Sequence, residues 1–217
     1  MQAKLIRELN PEETPDKENL PLIEYLEYML NFYGLVPYKL YVAVFNAHNE
    51  RQITENEFDL FLEESRTWLE SCMLTLDRER KIVYLPYLDM KNSVDKIINN
   101  IHGSEYYFPT REELVQESTE ENHPVNEKNR ALAEFMMKSF SKRKIEIANR
   151  VCVKIKASLR ICLSKDYIKS ILEDGGLTFK TKKQERAFWE VVASLDNCTP
   201  KWFLYGHTPE NYRPEIS

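Results

Sequence analysis

Apolar residues recur with helical spacing early in the chain, at Leu22, Tyr25, Leu26, Met29, Leu30 and Tyr33, and Gly34 follows where a C-cap belongs. The spacing predicts a first helix there. Pro37 can open a second, reaching Ala47 with Leu40, Val44 and Phe45 turned inward. Thr54 and Glu57 stand as the two ends of a capping box. They begin a third helix whose expected core residues are Phe58, Leu60, Phe61 and Trp68. The period then changes. Residues 71–76 and 81–86 are short runs rich in strand formers, and Asp77, Arg78, Glu79 and Arg80 between them suit a hairpin turn. Three helices followed by a hairpin is the order of a winged helix-turn-helix.

Helical patterning resumes at 93–101, which Gly103 can end, and again behind Thr110 and Glu113, a second capping box. Residues 117–126 are polar and acidic and contain Pro124, which marks them as a linker. A helix over 126–140 presents Leu132, Phe135 and Met136 on one face. Over 141–163 the residues Ile145, Ala148, Cys152, Ile155, Leu159 and Cys162 alternate in steps of three and four, flanked by Ile147, Val151 and Ile161. A stripe this broad predicts a central core helix. Further helices are expected over 164–172, ended by Gly175 and Gly176, over 181–195 with Ala187, Phe188, Val191 and Val192 inward, and briefly over 200–205. The expected fold is mainly α: a winged-helix-like N-terminal half, three helices plus a β-hairpin, packed on a C-terminal helical bundle. The expected divisions are a flexible arm at 1–20, an acidic subdomain at 21–116, the linker at 117–126, and a basic helical subdomain at 127–217.

Composition narrows this picture. With 217 residues, 42% hydrophobic, the chain can build a substantial core. Five glycines are too few for the many tight turns of an all-β fold. The first residues lack the apolar core of a signal peptide, and no apolar run of membrane-spanning length occurs, so a cytoplasmic location with no membrane partner is expected. Cys72, Cys152, Cys162 and Cys198 are far apart, form no C-x-x-C pair, and are expected to be buried free thiols.

Charge changes the picture more. Residues 1–125 carry 12 Lys and Arg against 24 Asp and Glu, while residues 126–217 carry 18 against 11. The third helix holds Glu55, Glu57, Asp59, Glu63 and Glu64 against Arg66 alone. In a winged helix that element would enter the major groove, and this one would be repelled by phosphates. Duplex DNA is therefore not its expected partner. In the basic half Arg143, Arg150, Lys154, Lys182 and Lys183 are candidate contacts to RNA, DNA or an acidic partner. Lys156 and Arg160 flank the apolar stripe on its other side. The competing reading is a core helix whose long cationic stems cover its margins. Aromatic residues do not interleave with these charges as single-strand stacking requires.

Catalytic chemistry is sparse. His48, His102, His123 and His207 are isolated, and no zinc-protease, nucleophile-elbow, phosphate-loop or dinucleotide motif occurs. Cys198 and His207 alone do not make a zinc site. No cofactor, metal or catalytic residue is implied, and an enzyme is the weaker expectation. The stretch from Asn197 to Pro214 packs Trp202, Phe203, Tyr205 and Tyr212 among prolines and a glycine. Such apolar surface either docks on the chain's own body or forms a partner site with Trp202, Tyr205 and His207 as its anchors.

Three segments together, 32–41, 106–114 and 197–210, resemble in order and spacing the helical N-terminal region of bacterial and mobile-element proteins that often end in a SEC-C zinc motif. The resemblance covers most of residues 22–211. The cysteine cluster of that motif is absent from these residues, so the likeness implies no metal ligands, and it brings no assigned activity. Charge split, aromatic stretch and missing catalytic set together lead to the expectation of a non-enzymatic bacterial, phage or mobile-element protein, an adaptor or regulator acting through protein contacts. A nucleic-acid-associated regulator working through the basic half is the alternative, and an uncatalogued enzyme the third.

Overall fold

The computed structural model describes residues 19–90, 93–100, 105–118, 127–140 and 145–212. These residues are mainly helical and carry one small three-stranded sheet. They fall into two units that divide between Thr119 and Glu120.

In the first unit, helix α1 (Leu20–Tyr33) follows its apolar stripe closely: Leu22, Tyr25, Leu26, Met29, Leu30 and Tyr33 are all buried. Gly34 ends it at φ 73°, a torsion that costs a glycine little, and its N–H donates to the Leu30 carbonyl at 2.8 Å. That sharp exit feeds strand β1 (Leu35–Pro37) directly into α2 (Tyr38–His48). Helix α3 (Glu55–Glu64) starts at the Thr54–Glu57 capping box, both of whose reciprocal bonds are present. Ser65, at φ −93° and ψ 14°, separates it from α4 (Arg66–Ser71). Strands β2 (Thr75–Asp77) and β3 (Ile82–Tyr84) form the hairpin. β3 is central and antiparallel to both neighbours, with Leu35 and Thr75 on either side of Tyr84. Pro37 sits on the edge strand β1, where its missing N–H is tolerated. Helices α5 (Tyr87–Met90), α6 (Val94–Asn100) and α7 (Arg111–Ser118) complete the unit, and α7 packs on α1.

Aromatic rings dominate this core. Tyr41 of α2 stacks on Phe58 of α3 with ring centroids 3.8 Å apart, and Phe58 meets Tyr38 edge-on at 5.2 Å. The Tyr41 hydroxyl donates to the Leu22 carbonyl of α1 at 2.6 Å, so a buried polar group is satisfied while three helices are tied together.

The second unit contains α8 (Glu127–Ser139), α9 (Ile145–Arg160), α10 (Lys165–Asp174), α11 (Lys182–Cys198) and a single 3-10 turn (Trp202–Leu204). Its core joins Leu132 and Met136 of α8, Ala148, Val151, Ile155 and Leu159 of α9, Ile168 and Leu172 of α10, and Phe188, Val192 and Leu195 of α11. Gly175 lets the end of α10 approach α9: a Cβ there would stand 3.0 Å from a Val151 methyl.

Several expectations are corrected. The third helix of the sequence pattern is two helices broken at Ser65. Strand β1 and helix α5 were not expected, and both hairpin strands are shorter than their apolar runs. α7 reaches Ser118, past the expected end of the first subdomain at 116. Leu60 is not core; it is 58% exposed, because Phe58, Phe61 and Leu62 define the inward arc of α3 and Leu60 falls on the opposite side. Cys162 is exposed rather than buried, since α9 ends at Arg160 and the chain turns away with Cys162 at φ 55°.

Because Phe58 is fully buried between two tyrosines, Phe58→Ala is expected to cost about 3–5 kcal/mol in chemical denaturation of the first unit. Leu60→Ala is expected to stay within about 0.5 kcal/mol. A large loss at Leu60 would contradict its placement.

Candidate functional site

Helix α3 offers the first candidate surface. Glu57, Leu60 and Glu64 lie three and four residues apart and so form one outward stripe, a leucine with a carboxylate one turn to either side. All three are exposed. Glu57 is held in place by the capping box: its carboxylate accepts from the Thr54 N–H at 2.7 Å and the Thr54 hydroxyl at 2.8 Å. The Thr54 side chain, and then its backbone N–H, lower the pKa of the Glu57 carboxyl from its ordinary value.

The hairpin's cations are turned onto the unit's own carboxylates. Arg78 pairs with Glu63, Lys81 lies 3.7 Å from Glu55, and Arg80 reaches Asp95 at 2.8 Å and Asp77 at 3.5 Å. Asp59 accepts from the Tyr38 hydroxyl at 3.2 Å, a contact that, with burial as the larger cause, raises the phenol's pKa. The inner and wing-side acids of α3 are thus occupied, whereas Glu57 and Glu64 face outward beside Leu60.

The aromatic stretch is the second candidate. Trp202 is 8% exposed and Tyr205 2% exposed, which leaves neither ring much surface to offer a partner; His207 is half-buried and meets Tyr212 edge-on at 5.6 Å. Lys201 holds the stretch down. Its side chain is 3% exposed, and its ammonium donates to the Leu159 carbonyl at 2.6 Å and pairs with Asp196. A cation on the last carbonyls of α9 satisfies the helix end and its dipole. The backbone closes the loop through Lys201 N–H to His207 O and Gly206 N–H to Lys201 O, both at 3.0 Å, and Glu210 N–H to Asn197 O at 3.1 Å.

The basic candidates are less concentrated than their count implies. Arg150 and Lys154 are exposed one turn apart on α9, and Lys182 and Lys183 are exposed at the start of α11. Arg143 lies outside the described residues, as do His102 and His123. Lys156, Arg160 and Lys201 are buried, so part of the positive excess is inside the unit rather than on its surface. The start of α11 is tied to α8 by Gln184, whose amide donates to the Ser139 carbonyl at 3.2 Å.

No group of three His, Cys, Asp or Glu among the described residues is placed to hold a metal ion. Burial pushes the Cys152 thiol up to about 12 and also raises that of Cys72, so neither is an activated thiolate. A shallow depression of about 370 Å³, open to solvent, is lined by Ser194, Asn197, Pro209 and Glu210, and it gathers a single carboxylate. No helix among the described residues is long and apolar enough to cross a membrane. Compared with the models of known protein families, with curated proteins and with solved structures, the chain has no match.

Two features escaped the sequence pattern. Lys201 stands among Pro200, Trp202 and Phe203, and a lysine in so apolar a run was the available signal of a buried anchor. The outward Leu60 was signalled by its carboxylate neighbours at both helical spacings.

Replacing Lys201 with Met removes the donor from Leu159 and the cation from half-exposed Asp196. The expected loss is about 1.5–3 kcal/mol in the unfolding of the second unit, read by denaturant titration. Unchanged stability would mean that the stretch is held by its rings alone.

Proposed function

We propose that this chain is a non-enzymatic interaction protein whose first unit is a winged helix turned to protein rather than to nucleic acid. The order α1–β1–α2–α3–α4–β2–β3 and the β1–β3–β2 sheet support the winged-helix reading. The observation that carries the functional reading is the Glu57–Leu60–Glu64 stripe on α3. On a groove-reading helix this stripe would face phosphates with carboxylates, and the wing cations that could offset them are committed to Glu55, Glu63, Asp77 and Asp95. The complementary partner is a basic protein surface with an apolar pocket for Leu60. Burial of that leucine supplies affinity, and the flanking carboxylates supply register and encounter rate.

The nucleic-acid reading through Arg150, Lys154, Lys182 and Lys183 has less support, because three of the unit's cations are buried. An enzymatic reading has less support, since the depression lined by Ser194, Asn197, Pro209 and Glu210 among the described residues brings together a single carboxylate. The resemblance to proteins that carry SEC-C motifs adds a bacterial or mobile-element setting to the proposal.

A photo-crosslinking amino acid placed at position 60 tests the reading against the same group at Tyr167, which is 50% exposed on the other unit. The expected result is a discrete covalent adduct from position 60 that Glu57→Lys with Glu64→Lys abolishes. Equal labelling from both positions, or retarded migration of duplex DNA or RNA that the α3 reversals leave unchanged, would overturn it.

A further inference from the structure

The segment 105–118 lies against α1 and α2 through contacts that converge on one histidine. The Tyr33 hydroxyl donates to the Tyr107 carbonyl at 2.5 Å, Tyr33 meets Tyr106 edge-on at 5.6 Å, and Phe32 stacks on Tyr107 at 6.2 Å. Beyond them, Leu114 of α7 is fully buried in the same core as α1. At the far end His48, the last residue of α2, meets Phe108 edge-on at 6.2 Å and the Tyr25 ring at 6.1 Å. The Arg111 guanidinium lies over the same Tyr25 ring, 6.0 Å from its centroid.

The imidazole hydrogen-bonds to the Pro109 carbonyl, while Nδ1 is buried with no hydrogen-bond partner. A neutral ring suits this arrangement, with one N–H donated to Pro109 and a lone pair on Nδ1. A charged ring does not. It would place a second N–H where nothing accepts it, and a positive charge beside Arg111. The charged and titratable groups facing the site are Arg111 and Glu112 from α7 and Tyr25 from α1, with Glu24 beside Tyr25.

We propose that His48 is a pH-sensitive clamp that holds segment 105–118 on α1 and α2 when neutral and releases it when protonated. Burial first, and Arg111 second, lower the pKa of His48; the Pro109 carbonyl and Glu112 offset them only in part. The docked state therefore binds fewer protons than the released one. Docking is at full strength above the free-imidazole pKa of about 6.5 and weakens as the pH falls through it. Below the pKa of the docked form it changes no further. Each unit of depression is worth about tenfold in the docking equilibrium.

Amide hydrogen exchange on the full chain, corrected for intrinsic rates, is compared between pH of about 7.5 and about 5, and the His48 ring is titrated by NMR. The expected result is faster exchange across 105–118 at the lower pH, with α9 and α11 unchanged, and a His48 midpoint below the free value. His48→Gln can still donate to Pro109 but cannot titrate, and it is expected to lose the pH dependence. Arg111→Gln is expected to reduce that dependence and raise the midpoint. If His48→Gln does not fold, the wild-type titration and Arg111→Gln decide the matter. A midpoint at or above the free value, or the same acid response with and without His48, would overturn the clamp.

Discussion

The stack of Tyr41 on Phe58 is the contact on which the first unit depends. It joins α2 to α3, and the Tyr41 hydroxyl on the Leu22 carbonyl adds α1, so one residue fixes three helices. Its burial would be costly without that acceptor, because a phenol hydrogen left alone in a core loses its hydration. The hydroxyl therefore selects the register of α1 as well as filling space. With the helices set, Gly34 delivers β1 to the edge of the sheet, and β3 can pair on both sides. The sheet itself is too short to organise anything alone.

Charge is handled differently in the two units. In the first, cations of the hairpin fold back onto carboxylates of α3 and its neighbours, and these exposed pairs contribute little stability. Their effect is on the field outside: they offset the positive charge of the wing. In the second, Lys156, Arg160 and Lys201 are taken inside. A net charge summed along the sequence therefore overstates the number of cationic side chains that a partner can touch.

Much of the helical order was legible because amphipathic spacing reports directly on burial. The α1 stripe is buried, as are Ala148, Ile155 and Leu159 of α9 and Phe188 and Val192 of α11, and the capping bonds of Thr54 and Thr110 are formed. The failures have specific causes. β1 is three residues whose strand conformation comes from pairing with β3 far along the chain, and so short a run carries no period of its own. Leu60 reads as core because apolar residues inside a helix are usually inward, but the arc of α3 is already filled by Phe58, Phe61 and Leu62. Cys162 came from extending a regular stripe two residues past the end of α9. The setting of His48 could not be read locally at all, since Phe108, Pro109 and Arg111 reach it from a distant segment.

Lys201 also bears on how the chain is made. The Leu159 carbonyl at the end of α9 is completed by a side chain that emerges from the ribosome only after α10 and α11 have been synthesised. Until then the helix end faces water and the apolar stripe of α9 lacks its partners on α11. The last contacts of this unit thus form only when nearly all of it is present, whereas the Tyr41–Phe58 stack and its Leu22 acceptor lie close together in sequence and can form early. The first unit can settle while the second is still waiting for its anchor.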